Sequence, residues 1–254
     1  MIRAWVLMFA GLLLSAQDVW EARRVATAFD GLSYLLLVQE GDRVIQRGAL
    51  DPEEALAPCS TYKLPHALIG LDRGVIVPGG DVRTCDPDRC HDAHGRLGMA
   101  EAIRVSCLSY FRQVARELGS EREAAGLKAL GYPVTGNLQP LEDFWLRGTG
   151  LRLTARQQLT WIRRFYSEDL PVAKVHLEAV RAASRRTGTA DWTLWGKPGS
   201  SDPEAPAVHG WFIGKVQWKE GHTSYVVVLV KGKGKGLGLM GLRAQERLER
   251  LLRK

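Results

Sequence analysis

The stretch APCSTYKLPHALIG, residues 57–70, places a serine one helical turn ahead of a lysine among apolar neighbours. Ser60 and Lys63 are three residues apart, and this spacing puts two side chains on one face of a helix. Pro65 lacks a backbone N–H and is tolerated only near the first turn, so it predicts a helix that begins near Ser60. The stretch therefore predicts a helix start that carries a hydroxyl beside an amine.

The pairing of these two side chains suggests nucleophilic chemistry. A serine hydroxyl becomes a nucleophile when a neighbouring base removes its proton. Burial disfavours the charged form of a lysine and lowers its pKa, so Lys63 is a candidate base. The same spacing also arises by chance in ordinary capped helices. The choice between the two interpretations depends on the rest of the chain.

Strand patterns lie on both sides of this stretch. The chain after it also carries a basic helical segment from about Leu242 to its end. The predicted strands are runs of β-branched and aromatic residues bounded by turn residues. They are GLSYLLLVQ (31–39), RVIQRG (43–48), WTLWGK (192–197), HGWFIGKVQW (209–218) and HTSYVVVLVK (222–231). Short turns between consecutive strands argue against a doubly wound parallel sheet.

The middle of the chain is predicted to be helical. A short amphipathic helix covers residues 98–105, and Gly119 is expected to stop the helix after it. Serine or threonine followed three residues later by glutamate or glutamine predicts a helix start, and proline is tolerated at the first helical position. These start signals are Ser120 with Glu123, Thr154 with Gln157, and Pro171. The fold class is therefore α+β, an antiparallel sheet from both chain ends with an inserted all-helical region.

The amino terminus has the order of a secretory signal. Arg3 is followed by an apolar run from Ala4 to Leu14 and by small residues. We expect cleavage after Ala16, an exported periplasmic or extracellular protein, and a single domain over residues 17–254. An uncleaved anchor is the alternative. No other segment is long and apolar enough to span a bilayer, so we expect no stable membrane span after cleavage.

Charge and cysteine content limit the other functions. The 254 residues carry a formal net charge of +7, concentrated around Arg185 and toward the carboxyl end. A solvated helix face explains such a tail better than nucleic-acid binding, because no aromatic interleaving accompanies the charge. Export permits disulfides, but the pairing stays open; Cys85 with Cys90 is one option, around an Asp-Pro turn. CHDAH, residues 90–94, is a poor metal motif, and no metal is expected.

Several segments together resemble one known family. The stretch 58–76 is similar to the active-site helix of the class D (oxacillinase-type) β-lactamases and of the related penicillin-sensing domains. The resemblance covers most of the chain after about residue 30, with its segments in the family's order. These segments are residues 101–119, TGN (135–137), 144–158, LWGKPGSS (194–201) and GWFIGKV (210–216). The resemblance implies a β-lactamase/transpeptidase-like fold.

The resemblance implies a role for each matching residue. Ser60 would be the acylated nucleophile and Lys63 the general base. In this family the lysine is typically carbamylated by carbon dioxide, and no other cofactor is expected. Ser106 would relay a proton to the leaving nitrogen, supported by Lys197. The expected partner is a small-molecule β-lactam.

Further positions match the family's pocket and substrate contacts. The residues expected to line the carbamate pocket are apolar, with one indole N–H donor: Val105, Leu108, Trp145 and Leu146. The backbone N–H groups of Ser60 and Ser200 would form the oxyanion hole. Arg243 falls where the family has a carboxylate-binding arginine, and Pro198 and Gly199 belong to the substrate-binding strand.

Three positions depart from the family pattern. Leu108 stands where the family has valine, Thr135 where it has an aromatic residue, and Pro198 where it has threonine. Proline is confined to strand edges or bulges, and the resemblance places this strand at the sheet edge, so Pro198 concerns substrate binding rather than folding. Arg186-Thr187-Gly188 imitates the Lys-Thr-Gly signature but is expected to end a helix, with Gly188 as its stop.

These observations leave more than one function open. The first is a serine β-lactamase that acylates at Ser60 and then releases the acid product. The alternative is a penicillin-binding or sensing domain that is acylated at Ser60 but deacylates poorly, motivated by the three departures. A non-catalytic scaffold, or an enzyme acting on a peptidoglycan peptide, comes third.

Overall fold

The strands from both chain ends form one six-stranded antiparallel sheet in the computed structural model, which describes residues 19–85, 95–167, 170–233 and 238–253. The strands of this sheet are β1 (Ser33–Glu40), β2 (Arg43–Gly48), β5 (Arg185–Gly188), β6 (Trp192–Ser200), β7 (Ala207–Trp218) and β8 (Thr223–Lys233). Their order across the sheet is β2-β1-β8-β7-β6-β5. A separate pair, β3 (Val82–Cys85) and β4 (Gly95–Gly98), forms a small hairpin.

Most of the helices lie between β2 and β5 in the chain. The helices are α1 (Ala22–Ala28), α2 (Lys63–Asp72), α3 (Met99–Arg104), α4 (Leu108–Ala129), α5 (Phe144–Arg147), α6 (Ala155–Ser167), α7 (Lys174–Ala183) and α8 (Met240–Leu252). A single 3-10 turn, Cys59–Tyr62, leads into α2. The predicted α+β class, with a helical region inserted between strands from both chain ends, is confirmed.

The sheet is covered on both faces, which explains its continuous apolar runs. On β8, Val226 and Val228 pack in a cluster with α1 and α8. Val227 and Leu229 point the other way, into the larger cluster under the inserted helices. Because alternate residues of a strand face opposite sides, a strand buried on both faces is apolar at every position. The inserted helices thus pack on one face of the sheet, and the active-site helix α2 lies among them.

Two of the three predicted helix starts need revision. Thr154 and Gln157 form the predicted capping box, with Gln157 N–H 3.2 Å from Thr154 Oγ1 and Thr154 N–H 2.9 Å from Gln157 Oε1. Glu123 does not cap, because its side chain is fully buried. Gly119 is non-helical (φ 72°, ψ 161°) and divides α4 into two helical segments, as predicted for a helix stop at this glycine. Pro171 precedes α7, which begins three residues later, at Lys174.

The carboxyl half of the sheet differs from the expectation in one respect. Residues 185–188 form the edge strand β5 instead of a helix end, because Arg185 pairs with Trp195 in the sheet. Therefore β6 is not an edge strand over its whole length. Pro198 nevertheless lies beyond the paired part of β5, so its missing N–H leaves no gap in that ladder.

One disulfide joins Cys85 at the end of β3 to Cys107 at the start of α4. The Cys85–Cys90 option involves Cys90, which lies outside the described residues, and Cys59 is a buried free thiol. Residues 1–16 and the CHDAH stretch lie outside the described residues. Within the described ranges, no helix combines the length and apolar character that a membrane crossing requires.

Loss of the disulfide is expected to destabilise the fold. The bond closes a loop across a sequence separation of 22 residues, and closing a loop of that size is worth about 3 kcal/mol. The double variant Cys85→Ser/Cys107→Ser should therefore unfold at lower denaturant concentration than the oxidised wild type. Adding a thiol reductant should lower wild-type stability by the same amount and leave the double variant unchanged. Equal stability of all three samples would contradict the expectation.

Candidate active site

Ser60 lies in the 3-10 turn that leads into α2. The turn is fastened at Pro58, whose carbonyl accepts bonds from the N–H of Thr61 at 3.2 Å and its Oγ1 at 2.7 Å. Cys59 has a positive φ of 52°, an uncommon conformation for a residue with a side chain, which is often found at functional sites. The turn presents the Ser60 hydroxyl to a cavity of about 680 Å³.

The turn is also held from the sheet by two side chains of β7. His209 Nε2 lies 2.9 Å from the Ala57 carbonyl oxygen, and the Trp211 indole N–H donates to the same oxygen at 3.0 Å. Both residues stand at the start of the segment whose GWFIG pattern carried the family resemblance. Their contact with Ala57 could not be inferred from that pattern, because it joins positions about 150 residues apart in the chain.

Lys63 contacts Ser60 as the helical spacing predicted. Its Nζ lies 2.8 Å from Ser60 Oγ, 2.8 Å from the Ser106 carbonyl oxygen and 3.0 Å from Ser106 Oγ. The side chain is only 1% exposed, and burial lowers the pKa of Lys63 from 10.5 to about 7. At neutral pH a large fraction of Lys63 is therefore an uncharged amine that can accept a proton from Ser60.

Ser106 connects Lys63 to Lys197. Ser106 has a φ of 62°, in the turn between α3 and α4, and its Oγ lies 2.9 Å from Lys197 Nζ. Lys197 is fully buried, and burial, followed by the positive charges of Arg186 and Lys63, holds its pKa well below the usual range. Two buried amines thus share one hydroxyl, which gives a continuous path for a proton from Ser60 to Lys197.

The predicted pocket around Lys63 is apolar. Val105, Leu108 and Leu146 line the cavity together with Lys63. Trp145 is fully buried behind them, with its ring stacked on Tyr62 at 5.5 Å, and its indole N–H has no hydrogen-bond partner among the described residues. A buried N–H without an acceptor is costly, and an anionic group on Lys63 would supply one. The residues present therefore fit a carbamate on Lys63.

The end of β6 approaches the Ser60 turn at Gly199. A Cβ at Gly199 would lie 3.0 Å from Ser60 N and 2.8 Å from the Pro58 carbonyl oxygen, so only glycine allows this approach. Ser200 follows directly and lines the cavity. The structure thus brings together the two residues, Ser60 and Ser200, whose N–H groups were predicted to form an oxyanion hole.

The predicted carboxylate anchor, Arg243, is not among the residues that line the cavity. Arg243 is exposed on α8, and the cavity lining includes Leu239 and Leu242 of that segment rather than Arg243. Pro198 lines the cavity as expected, and its carbonyl accepts a bond of 3.2 Å from Lys197 Nζ. The rotational phase of α8 explains why Leu242 lines the cavity and Arg243 does not, because neighbouring positions on a helix point about 100° apart.

Sequence reasoning missed a set of basic residues in the same cavity. These lining residues are Arg104, Arg112, Arg147 and Arg186. Asp143, also in the lining, forms an ion pair with Arg112, and Arg147 approaches its other oxygen at 3.6 Å. Only Arg186 was singled out from the sequence, and then as a false signature. No local pattern marks the others, since they come from three separate segments.

Comparisons with known proteins identify the family. A sequence profile of the family described as penicillin binding protein transpeptidase domain matches residues 52–249. β-Lactamase OXA-48 of Klebsiella pneumoniae is 28% identical over 194 residues, covering 73% of this chain and 70% of the relative. β-Lactamase OXA-5 of Pseudomonas aeruginosa is 29% identical over 208 residues, covering 80% and 77%.

Solved structures share the fold. The class D β-lactamase FUS-1 (OXA-85) of Fusobacterium nucleatum subsp. polymorphum superposes with a TM-score of 0.78 at 22% identity, covering 92% of this chain and 97% of that one. The carboxyl-terminal domain of the BlaR penicillin receptor of Bacillus licheniformis superposes equally well, with a TM-score of 0.78 at 24% identity and coverage of 92% and 94%. The fold is therefore shared by a class D β-lactamase and a penicillin receptor.

Proposed function

The chain belongs to the penicillin-binding protein transpeptidase domain family, in its class D β-lactamase-like part, and on that premise we propose that it is a serine β-lactamase. The observation that supports the proposal most is the line of contacts from Ser60 through Lys63 and Ser106 to Lys197, each of 3.0 Å or less. This arrangement supplies a nucleophile, a base and a proton path in one cavity.

The proposed acylation begins when Lys63 accepts the hydroxyl proton and Ser60 Oγ attacks the lactam carbonyl carbon. The carbonyl oxygen accepts hydrogen bonds from the N–H groups of Ser60 and Ser200, and one such donor is worth about 3 kcal/mol in other hydrolases. The ring C–N bond breaks, and the nitrogen takes a proton from Ser106. Lys63 returns its proton to Ser106, with Lys197 holding the Ser106 hydroxyl in place.

Deacylation requires a base for water. Lys63 removes a proton from a water molecule that attacks the ester carbon. The bond from that carbon to Ser60 Oγ breaks, and Lys63 returns the proton to Ser60 Oγ as the opened acid is released. Carbon dioxide bound to Lys63 as a carbamate would supply an anionic base. Trp145 would donate its indole N–H to that group, while Val105, Leu108 and Leu146 keep the surroundings apolar.

A penicillin-binding or sensing role is the second candidate. Leu108 lines the cavity beside Lys63, where a hydrolytic water has to approach. A bulky side chain there would slow deacylation and leave Ser60 acylated. The shared fold of the penicillin receptor domain is compatible with this role as much as with hydrolysis.

Intact mass spectrometry after mixing with benzylpenicillin separates the two candidates. A β-lactamase shows a transient adduct that decays faster when bicarbonate is added, because bicarbonate supplies the carbamate. A sensing domain shows a persistent adduct in both buffers. The Ser60→Ala variant is the control and should show no adduct. A folded wild-type protein that forms no adduct would contradict both candidates.

The acylation rate is expected to depend on pH through Lys63. Only the uncharged amine can accept the Ser60 proton, and the pKa of Lys63 is about 7. In bicarbonate-free buffer, the rate should rise about tenfold per pH unit below that value and level off above it. Stopped-flow or rapid-quench mass measurements over roughly two pH units on each side test this. A rate that stays flat across that range would contradict Lys63 as the base.

We extend the proposal to location and substrate. The Cys85–Cys107 disulfide supports an oxidising, exported location, because such bonds persist outside the cytosol. The cationic lining of the cavity favours an anionic ligand, as a β-lactam carboxylate is. Comparing secretion of the full chain with that of a variant lacking residues 1–16 would test the first point.

A further inference from the structure

Arg186 bridges two segments of the active site through their backbones. Its Nε donates to the Gly196 carbonyl oxygen at 2.9 Å. Its Nη1 donates to the Arg104 carbonyl oxygen at 2.9 Å, and its Nη2 lies 3.5 Å from the Ile103 carbonyl oxygen. One rigid guanidinium thus contacts both the sheet and the end of α3. A planar fork of donors is suited to holding two acceptors at a fixed separation.

The two bridged segments carry the side chains that meet in the proton path. Lys197 directly follows Gly196, and Ser106 follows Arg104 by two residues. Lys197 Nζ and Ser106 Oγ are 2.9 Å apart. The guanidinium of Arg186 therefore joins the backbones of the same two segments whose side chains, Lys197 and Ser106, contact each other.

β7 pairs with Gly196 on one side of β6, but no strand pairs with it on the β5 side. Pairing between β5 and β6 ends at Trp195, so the carbonyl group of Gly196 lies beyond the ladder. The N–H of Gly196 donates to the Ser184 carbonyl oxygen at 2.9 Å, and Arg186 supplies the partner for its carbonyl oxygen. Arg186 thus completes the backbone hydrogen bonding of β6 one residue before Lys197.

Arg186 also places a positive charge beside Lys197. In the described part of the chain its guanidinium hydrogen-bonds to backbone carbonyls, and Glu249 acts on its charge without a direct ion pair, whereas Arg112 and Arg104 each pair with an acidic side chain. The positive charge of Arg186 favours the uncharged form of Lys197. Position and charge therefore both act on Lys197.

We propose that Arg186 is a positioning residue that ties the strand carrying Lys197 to the turn carrying Ser106, so that the two side chains meet. The inference rests on the proposed acylation of Ser60 for its effect on rate. It predicts that Arg186 acts on the rate of acylation rather than on ligand affinity.

The test compares Arg186→Met and Arg186→Lys with Arg185→Met. Arg185 is the exposed neighbour on the same strand and makes a matched control for loss of an arginine. The maximal acylation rate by benzylpenicillin should fall on the order of 10- to 100-fold in Arg186→Met, since a displacement of about 1 Å costs up to that much. The concentration for half-maximal rate should stay within about threefold, and Arg185→Met should match the wild type.

The lysine variant separates position from charge. A single ammonium keeps the positive charge but cannot hold both carbonyls in the fork geometry. Arg186→Lys should therefore retain the wild-type pH dependence of acylation and still react slowly. Arg186→Met loses the positive charge as well, so only the comparison of the two variants separates the two effects. A wild-type rate in Arg186→Lys would overturn the positioning role.

Hydrogen exchange supplies a readout that does not need acylation. Amides in residues 103–108 and 192–200 should exchange faster in both Arg186 variants and remain protected in Arg185→Met. Unchanged exchange in both segments would overturn the inference even if the wild type forms no adduct. If the variants change only the benzylpenicillin concentration for half-maximal rate, Arg186 contacts the ligand instead, and the positioning role is overturned. If Arg186→Met fails to fold, the lysine variant carries the same comparison.

Discussion

Replacing Lys63 with methionine is expected to lower turnover of a β-lactam by about 10²- to 10⁴-fold, the usual contribution of a positioned general base. Methionine has a similar length and fills the apolar pocket, but it accepts no proton from Ser60 or from water. Whatever adduct forms on Ser60 should therefore persist. Steady-state hydrolysis together with intact mass spectrometry measures both effects.

The same substitution is expected to stabilise the fold near neutral pH. The folded-state pKa of about 7 for Lys63 lies below the ordinary lysine value of 10.5, so the unfolded chain binds more protons between these values. Burying Lys63 then costs on the order of 4 kcal/mol at pH 7. Methionine removes that cost but gives up three hydrogen bonds of about 1 kcal/mol each, which leaves a net gain of about 1 kcal/mol.

The stability difference between Lys63→Met and the wild type is expected to depend on pH. Wild-type stability should rise with pH from about 7 to 10.5 as the unfolded-state lysine loses its proton, so the advantage of the variant should reverse to a disadvantage of about 3 kcal/mol, the hydrogen bonds it lacks. Lys215→Met is the control, because Lys215 is half-buried against the Trp195 ring and lies outside the cavity lining. It should keep full turnover. A Lys63→Met enzyme with normal turnover would contradict the proposed mechanism.

Glu123→Leu is expected to cost about 3–5 kcal/mol of the free energy of unfolding, the usual result of removing one partner from a buried ionisable cluster. Glu123 is fully buried; its Oε1 accepts a hydrogen bond from the Tyr62 hydroxyl and lies 2.8 Å from His66 Nδ1. His66 Nε2 lies 3.1 Å from the Phe111 carbonyl oxygen. Leucine leaves the two ring groups without their partner in the core beneath α2.

Glutamine is the matched replacement at this position. Its amide nitrogen can donate one N–H to His66 Nδ1 and the other to the Tyr62 hydroxyl oxygen, which leaves only the hydroxyl proton unpaired. The expected cost is about 1 kcal/mol. Glu121→Gln, exposed on the same helix, should change stability by less than about 0.5 kcal/mol. Urea denaturation at neutral pH compares the variants, and equal stability of Glu123→Leu and Glu123→Gln would refute the role of the carboxyl group.

Local sequence patterns predicted the parts of the site that depend on local geometry. The three-residue spacing of Ser60 and Lys63 places their side chains together on any helix, and the structure shows a contact of 2.8 Å. The strands were predictable for the same reason, because alternation and β-branched runs reflect burial of a sheet. The boundaries of β2 agree with the predicted segment RVIQRG.

Glu123 shows where such patterns fail. A serine followed three residues later by glutamate is a helix-start pattern. The same glutamate side chain can instead point into the core and hydrogen-bond to buried groups there. Those partners, Tyr62 and His66, lie about 60 residues away in the chain. No window of local sequence contains both sides of that contact. The local pattern therefore described a capping residue where the tertiary structure has a core residue.

The sequence by itself determined the α+β class, the order of the strands and helices along the chain, and the pairing of Ser60 with Lys63, since each follows from residue type and short-range periodicity. Only the tertiary structure decided that Cys85 pairs with Cys107, that Arg243 points to solvent, and that Arg186 bridges Gly196 and Arg104. These features depend on how distant segments pack and on the rotational phase of each element. Contacts between residues far apart in the chain are set by the packing of the whole core rather than by their neighbours in sequence.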